Sequence, residues 1–306
     1  MDPPNPQLQH CRTLRLTCYL IMKRLNILAA ILGCAFAANA QTITTVTYHY
    51  TGAVSKYPIE MQLLVSSNTD TVMGEYYYTS KGRNARLDLS GTRNVNDTLI
   101  LLEKNFQRQD AQGNALLTGS FRLHGLDSLS GKWKNPSTGA VLQTTATLRE
   151  SLRLMRPSDY EFRLRTYKGR MMNAGGNEDT YTKTNLLDIY HEGKLLQSLA
   201  GFDAVLFDHR AEVILEDLNF DGCFDLKIPI YFPDRTKYDG SYLYFLFNSA
   251  TKKFEPHQQL NDFEYLTFDP VKKEFYRYDE GPEGFIINYY KWRGNKAYLA
   301  RTEKEQ

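Results

Sequence analysis

The chain has 306 residues, with 37 Lys and Arg against 35 Asp and Glu, and it carries 21 Tyr and 16 Phe. A hydrophobic fraction of 42% with a net charge of only +2 excludes a disordered chain. A mean hydropathy of −0.48, with no apolar run near the ~20 residues of a spanning helix, excludes a polytopic membrane protein.

Residues 22–40 read MKRLNILAAILGCAFAANA. Lys23 and Arg24 form a basic start, Leu25 to Ala37 a mostly apolar run, and Ala38-Asn39-Ala40 a small-x-small cleavage site. That order is a secretory signal peptide, with the mature chain beginning near Gln41. Residues 1–21 are then expected to be a spurious extension, with translation starting at Met22. The expected location is the periplasm or the exterior. An alternative is a lipoprotein anchored at Cys34, because Ile31-Leu32-Gly33-Cys34 resembles a lipobox. Four of the 37 basic and one of the 35 acidic residues lie within 1–40, so the remainder has a net charge of −1 and a single cysteine, Cys223. A lone cysteine forms no internal disulfide, so an exported chain of this kind relies on its core or on a metal. Scattered charges of nearly zero sum leave no footprint for nucleic acid or anionic lipid.

From residue 41 onward, short segments alternate apolar or aromatic residues with polar ones. Thr71–Tyr78, Ala85–Leu89, Tyr160–Leu164, Phe224–Ile230 and Glu274–Tyr278 read as half-buried strands. Ser90-Gly91, Gly113-Asn114, Thr138-Gly139, Glu192-Gly193 and Asp239-Gly240 read as turns, at a spacing typical of antiparallel all-β folds. Leu186–Ile189 and Leu260–Leu266 are the segments compatible with short helices. The fold class is all-β, with two antiparallel β domains. Residues 41–150 form a meander or barrel-like domain of seven to nine strands, and residues 157–306 a second β domain. The boundary is placed where ESLRLMRPS breaks the alternation at 150–158. In the first domain a Gly recurs just before an aromatic, as at Gly74/Tyr76, Gly119/Phe121 and Gly131/Trp133. That device bends a strand beneath a ring, and Trp133 with Asn135 and Gly139 weakly resembles small ligand-binding barrels.

One motif carries chemistry. Residues 217–225 read D-x-N-x-D-G-x-x-D, with oxygen-bearing side chains at loop positions 1, 3, 5 and 9 and Gly222 at position 6. Calcium takes six to eight oxygen ligands, and alternate residues of a tight loop aim theirs inward. The expected calcium ligands are Asp217, Asn219, Asp221, Asp225 and the backbone carbonyl of Cys223, whose soft thiol is a bystander. Position 12 is Ile228 rather than a bidentate Glu, and both flanks read as strands, so the site is expected to be strand-loop-strand. No Cys-x-x-Cys, His-x-x-x-His, Gly-x-Ser-x-Gly or phosphate loop is present, and the His residues after residue 40 stand isolated in sequence. No enzyme is therefore indicated, although a convergent carboxylate pair is a remaining option.

Around this loop the chain resembles a family of bacterial exported β-proteins, the calcium-binding periplasmic immunity proteins that inhibit lysozyme-like effectors. The resemblance runs from Leu215–Leu226 (LEDLNFDGCFDL) through Tyr242–Asn248 (YLYFLFN) and Thr251–Glu255 (TKKFE) to a hairpin at Lys272–Tyr278. It covers residues 158–300 and leaves 41–150 aside. It implies calcium held by Asp217, Asn219, Asp221 and Asp225, and an inhibitory loop that enters the cleft of a peptidoglycan hydrolase. The Ser-Gly-x-x-Tyr signature of periplasmic lysozyme inhibitors is replaced by Asp239-Gly240-Ser241-Tyr242 at a different spacing. The expected contact loop is Pro233–Tyr242, with Asp234, Arg235, Lys237, Tyr238 and Asp239 supplying the aromatic and charged mix of an interface. The alternatives are a glycan- or envelope-binding module in which Tyr76, Tyr78 or Trp133 stacks on sugars, and a hydrolase with an unrecognised carboxylate pair.

Overall fold

The computed structural model describes residues 41–110, 112–149, 154–235, 240–281 and 284–304. The signal segment, Cys34 and residues 1–21 lie outside the described residues. No helix among those described is long and apolar enough to cross a membrane.

The first half is a meander of eight strands that closes on itself: β1 (Ile43–Val54), β2 (Tyr57–Ser66), β3 (Thr71–Tyr78), β4 (Leu87–Arg93), β5 (Thr98–Gln109), β6 (Ala115–His124), β7 (Ser128–Lys134) and β8 (Val141–Leu148). Each strand pairs antiparallel with the next, and β1 pairs with both β2 and β8. The expected count of seven to nine strands and the barrel-like form are met by this closed barrel. Period-2 alternation explains its inside. On β2, Ile59, Met61, Leu63 and Val65 are buried while Gln62 and Leu64 are less so, and Val72 and Tyr76 of β3 join the same core with Leu99, Leu101, Phe121, Leu123 and Leu129. Such a barrel leaves no unpaired edge.

Close approach between strands needs glycine here. A Cβ on Gly91 would lie 1.9 Å from the carbonyl oxygen of Ile100. Ser90-Gly91 is therefore not the turn its composition suggests; it sits inside β4, where the neighbouring backbone presses close. A Cβ on Gly119 would lie 2.2 Å from Nε1 of Trp133 and 2.6 Å from Oε2 of Glu103. Gly119→Ala is expected to cost about 1–3 kcal/mol by overpacking, read as a lower urea midpoint with an unchanged m-value.

The second half continues the sheet. Strands β9 (Tyr160–Met172), β10 (Glu178–His191) and β11 (Lys194–Leu206) form an antiparallel meander, the last two joined by the two-residue turn Glu192-Gly193, both residues at positive φ. Strands β12 (Glu212–Glu216) and β13 (Asp225–Tyr231) follow, and β14 (Gly240–Asn248) and β15 (Lys253–Pro256) extend the sheet from β13. Leu186–Ile189 lies within β10, whereas the other candidate helix corresponds to the short helix α1 (Gln258–Phe263). A separate four-stranded antiparallel sheet holds β16 (Thr267–Asp269), β17 (Glu274–Gly281), β18 (Gly284–Arg293) and β19 (Lys296–Lys304).

One pairing departs from the antiparallel expectation. The start of β1 runs parallel to β12, with Ile43 opposite Glu212 and Val46 opposite Leu215, and Thr45 Oγ1 donates to Glu212 Oε1 at 2.6 Å. Val46 joins the core of the second half while Tyr50 and Val54 of the same strand fill the barrel. The break near residue 150 thus separates two cores but not two sheets, because β1 serves both.

Candidate functional site

The D-x-N-x-D-G-x-x-D segment joins β12 to β13, so it is a strand-loop-strand element. Gly222 has φ 88° and Phe220 φ 63°, the left-handed conformations that let the loop curl back on Asp217. Asp217 accepts the N–H groups of Asp221 (3.0 Å) and Gly222 (2.8 Å). Asp221 accepts the N–H of Cys223 at 2.8 Å, and Asn219 Nδ2 donates to Asp221 at 3.0 Å. Asp225 is fully buried and spans two elements: Oδ2 accepts from Leu218 at 2.9 Å and Oδ1 from Phe247 on β14 at 2.7 Å. Leu218 packs in the core beside the four-stranded sheet, and its carbonyl accepts from Nε1 of Trp292 at 3.0 Å.

Electrostatics follow from this burial. Desolvation pushes the Asp217 carboxyl up to about 6 against the pull of its backbone donors, and the Asp221 charge adds to the rise. Desolvation likewise raises Asp225 well above the ordinary carboxylate range. Burial and then Asp221 push the Cys223 thiol up to about 11, which keeps it protonated and unreactive at neutral pH. The loop donors are hard oxygens, the chemistry a calcium ion takes. Their carboxylates turn toward backbone N–H groups, and among the described residues no group of three or more His, Cys, Asp or Glu side chains takes a metal-holding arrangement.

The residues expected for partner contact divide. Lys237, Tyr238 and Asp239 lie outside the described residues. Asp234 is exposed. Arg235 forms a two-pronged ion pair with Glu264, both distances 2.8 Å, and lies 3.7 Å over the Phe232 ring. It therefore pins its loop to the segment after α1, and that pair holds the Glu264 carboxyl below its usual range. The aromatics expected to face sugars are mostly internal. Tyr76 is buried against Phe121, and Trp133 donates its Nε1 to Glu103 at 2.6 Å. Tyr78 lines a cleft.

That cleft, of about 490 Å³, was not anticipated from the sequence. One wall is the outer face of β2 and β3, with Gln62, Leu64, Met73 and Glu75. The other is the β16–β19 sheet with Tyr276 and Tyr278, and the far end holds Tyr242 and Tyr265. Its floor is an ion pair between Glu216 of β12 and Lys227 of β13, and His49 of β1 reaches the same carboxylate at 3.2 Å. Lys227 Nζ lies 5.0 Å from the Tyr242 ring centre and 5.8 Å from that of Phe268. Burial by itself would raise the Glu216 carboxyl, but the Lys227 charge and the His49 hydrogen bond outweigh it and hold it at about 2. A signal for this pair existed in the hairpin register: Glu216 pairs with Asp225 and Ile214 with Lys227, which puts all four on one face. His49 had no such signal, since it lies 167 positions away.

No family model matches the chain, and a search of curated proteins returned no match.

Proposed function

We propose that the chain is an exported β-protein that acts by binding, is stabilised by calcium at the Asp217–Asp225 loop, and has a peptidoglycan hydrolase as its partner. The observation that carries this reading is the desolvation of Asp217 and Asp225 within a nine-residue acidic loop that also holds Asp221. Carboxylates gathered this closely repel one another unless a cation lies between them. The ion would be held by Asp217, Asn219, Asp221, Asp225 and the carbonyl of Cys223, with water completing the shell. The hydrolase partner follows from the resemblance of residues 158–300 to periplasmic immunity proteins.

The metal is tested with Asp221→Ala, a change at an exposed loop position. An ion present at 100 times its dissociation constant adds about 2.7 kcal/mol. The variant should lose that stabilisation, a fall of about 5 °C in melting temperature in calcium, beyond the loss of about 1 kcal/mol that removing the acceptor of the Cys223 N–H causes in chelator as well. Equal losses in both conditions remove calcium from the account. The partner is tested by zymography of lysozyme-like hydrolases with the protein added. Inhibition that weakens in chelator is expected, and no inhibition of any hydrolase removes the partner.

A second reading, the glycan-binding module, is favoured by one separate observation: the cleft lined by tyrosines.

A further inference from the structure

The cleft between the barrel wall and the β16–β19 sheet has no part in the calcium reading, and its lining has a chemistry of its own. We propose that it is a binding site for an uncharged saccharide, taking a short run of sugar units.

Three observations converge. The first is size: about 490 Å³ falls within the ~300–1,000 Å³ of small-ligand sites. The second is the disposition of aromatics. Two tyrosine pairs line the cleft, Tyr242 with Tyr265 (ring centres 5.7 Å apart) and Tyr276 with Tyr278 (5.7 Å, near perpendicular). In each pair one ring remains open to solvent, Tyr265 at 57% and Tyr278 at 44% exposure. Rings braced by a neighbour lose little freedom on binding and offer flat apolar faces with a hydroxyl at the rim. A pyranose presents the matching surface, with C–H faces for stacking and hydroxyls around its edge.

The third observation is charge, and it decides against the rival ligand classes. Arg83 and Arg86 both engage Glu75, at 2.8 and 3.4 Å. Lys227 is engaged by Glu216. In the adjoining part of the cleft, of about 270 Å³, Lys272 faces Asp269 at 3.9 Å, and Glu60 accepts from the hydroxyl of Tyr77. The four cations and four carboxylates of the lining sum to zero, and each already has a polar partner, so a charged ligand meets no net opposite charge and would have to displace an existing contact to gain one. A purely apolar ligand would bury these ion pairs without replacing their water, which is costly. A neutral polyol avoids both costs, since its hydroxyls hydrogen-bond to planar carboxylate, guanidinium and Gln62 amide groups without disturbing the pairing.

The test is isothermal titration of the full chain with chitotetraose, cellotetraose and maltotetraose. Saturable binding of at least one is expected, weakened about tenfold or more by Tyr265→Ala and by Tyr278→Ala. Tyr167→Ala, an exposed tyrosine on β9 outside the cleft lining, is the control and should bind as the wild type does. Both cleft positions are exposed, so the variants should keep the wild-type melting temperature; if either does not, Tyr→Phe at the same position must retain stacking and binding. Binding should persist in Asp221→Ala and in chelator, which separates this site from the calcium loop. Absence of saturable binding to all three sugars overturns the proposal, as does binding that the cleft variants leave unchanged. Hydrolase inhibition abolished by the same tyrosine variants, without sugar binding, overturns it too and assigns the cleft to a protein partner.

Discussion

Replacing Glu216 with leucine is expected to destabilise the fold by about 3–5 kcal/mol, because it leaves the buried Lys227 ammonium without its carboxylate. Lys227 is only 7% exposed, on the face of the β12–β13 hairpin opposite the Leu226 and Ile228 core, packed against the Tyr242 and Phe268 rings at the floor of the cleft. His49 loses its acceptor in the same change. For a chain of this size the loss corresponds to a melting temperature lower by roughly 5–10 °C. The double variant Glu216→Leu with Lys227→Met should recover most of it, because matched hydrophobic residues replace a buried ion pair at little net cost. Differential scanning calorimetry of the single and double variants checks both statements. If the single variant is as stable as the double, the pair carries no structural weight. A pH dependence follows with a definite sign. The folded Glu216 carboxyl is held at about 2, below its ordinary 4.5, so its contribution is complete above about 4.5 and is lost as pH falls toward 2. The wild type should lose stability over that window more steeply than the double variant.

The same pair explains what the sequence disclosed and what it did not. The barrel was legible because its signal is local: alternation on β2 and β3 puts Ile59, Met61, Leu63, Val72 and Tyr76 on one face, and eight such segments between turns close a sheet. Phe224–Ile230 was legible as a strand but not as one buried on both faces. Leu226 and Ile228 enter the core of the second half, while Asp225 and Lys227 are buried on the opposite face. Charged residues in an alternating strand read as solvent-facing, and only the later packing of the β14–β16 region covers them. The D-x-N-x-D-G-x-x-D loop was visible because its acidic residues lie within nine consecutive positions. The cleft was not, because its walls come from β2, β3, β14 and β17, which no spacing rule brings together. Ser90-Gly91 failed in the opposite direction: turn composition there reflects a close backbone approach between barrel strands.

The second large effect is expected inside the barrel, at Glu103 of β5. It is buried, and its carboxylate accepts from the Tyr76 hydroxyl, the Trp133 Nε1 and the Thr118 hydroxyl, each at 2.6 Å. Tyr76 and Trp133 share Oε2, while Thr118 takes Oε1. These bonds tie β3, β6 and β7 to β5, and Gly119 leaves the space in which the indole reaches the carboxylate. Glu103→Leu removes the common acceptor and leaves the donors facing an apolar side chain. A buried polar group stranded in this way costs about 1–3 kcal/mol, so a combined loss of about 3–5 kcal/mol is expected, with Tyr76 bearing the largest share because it is fully buried. Glu103→Gln separates hydrogen bonding from charge. Its single carbonyl oxygen can stand in for Oε2 and serve both Tyr76 and Trp133, while its amide donates to the Thr118 oxygen, which accepts as readily as it donates. A loss of only about 1 kcal/mol is therefore expected for the amide, the difference between a charged and a neutral acceptor. Adding Tyr76→Phe to Glu103→Leu removes the most deeply buried stranded donor and should return part of the lost stability, giving a coupling energy that a double-mutant cycle measures directly. Equal denaturation midpoints for the Leu and Gln variants would mean that the barrel interior holds together by packing alone. The ordering Leu far below Gln, with Gln near the wild type, identifies Glu103 as the acceptor that fixes the register of the strands around it.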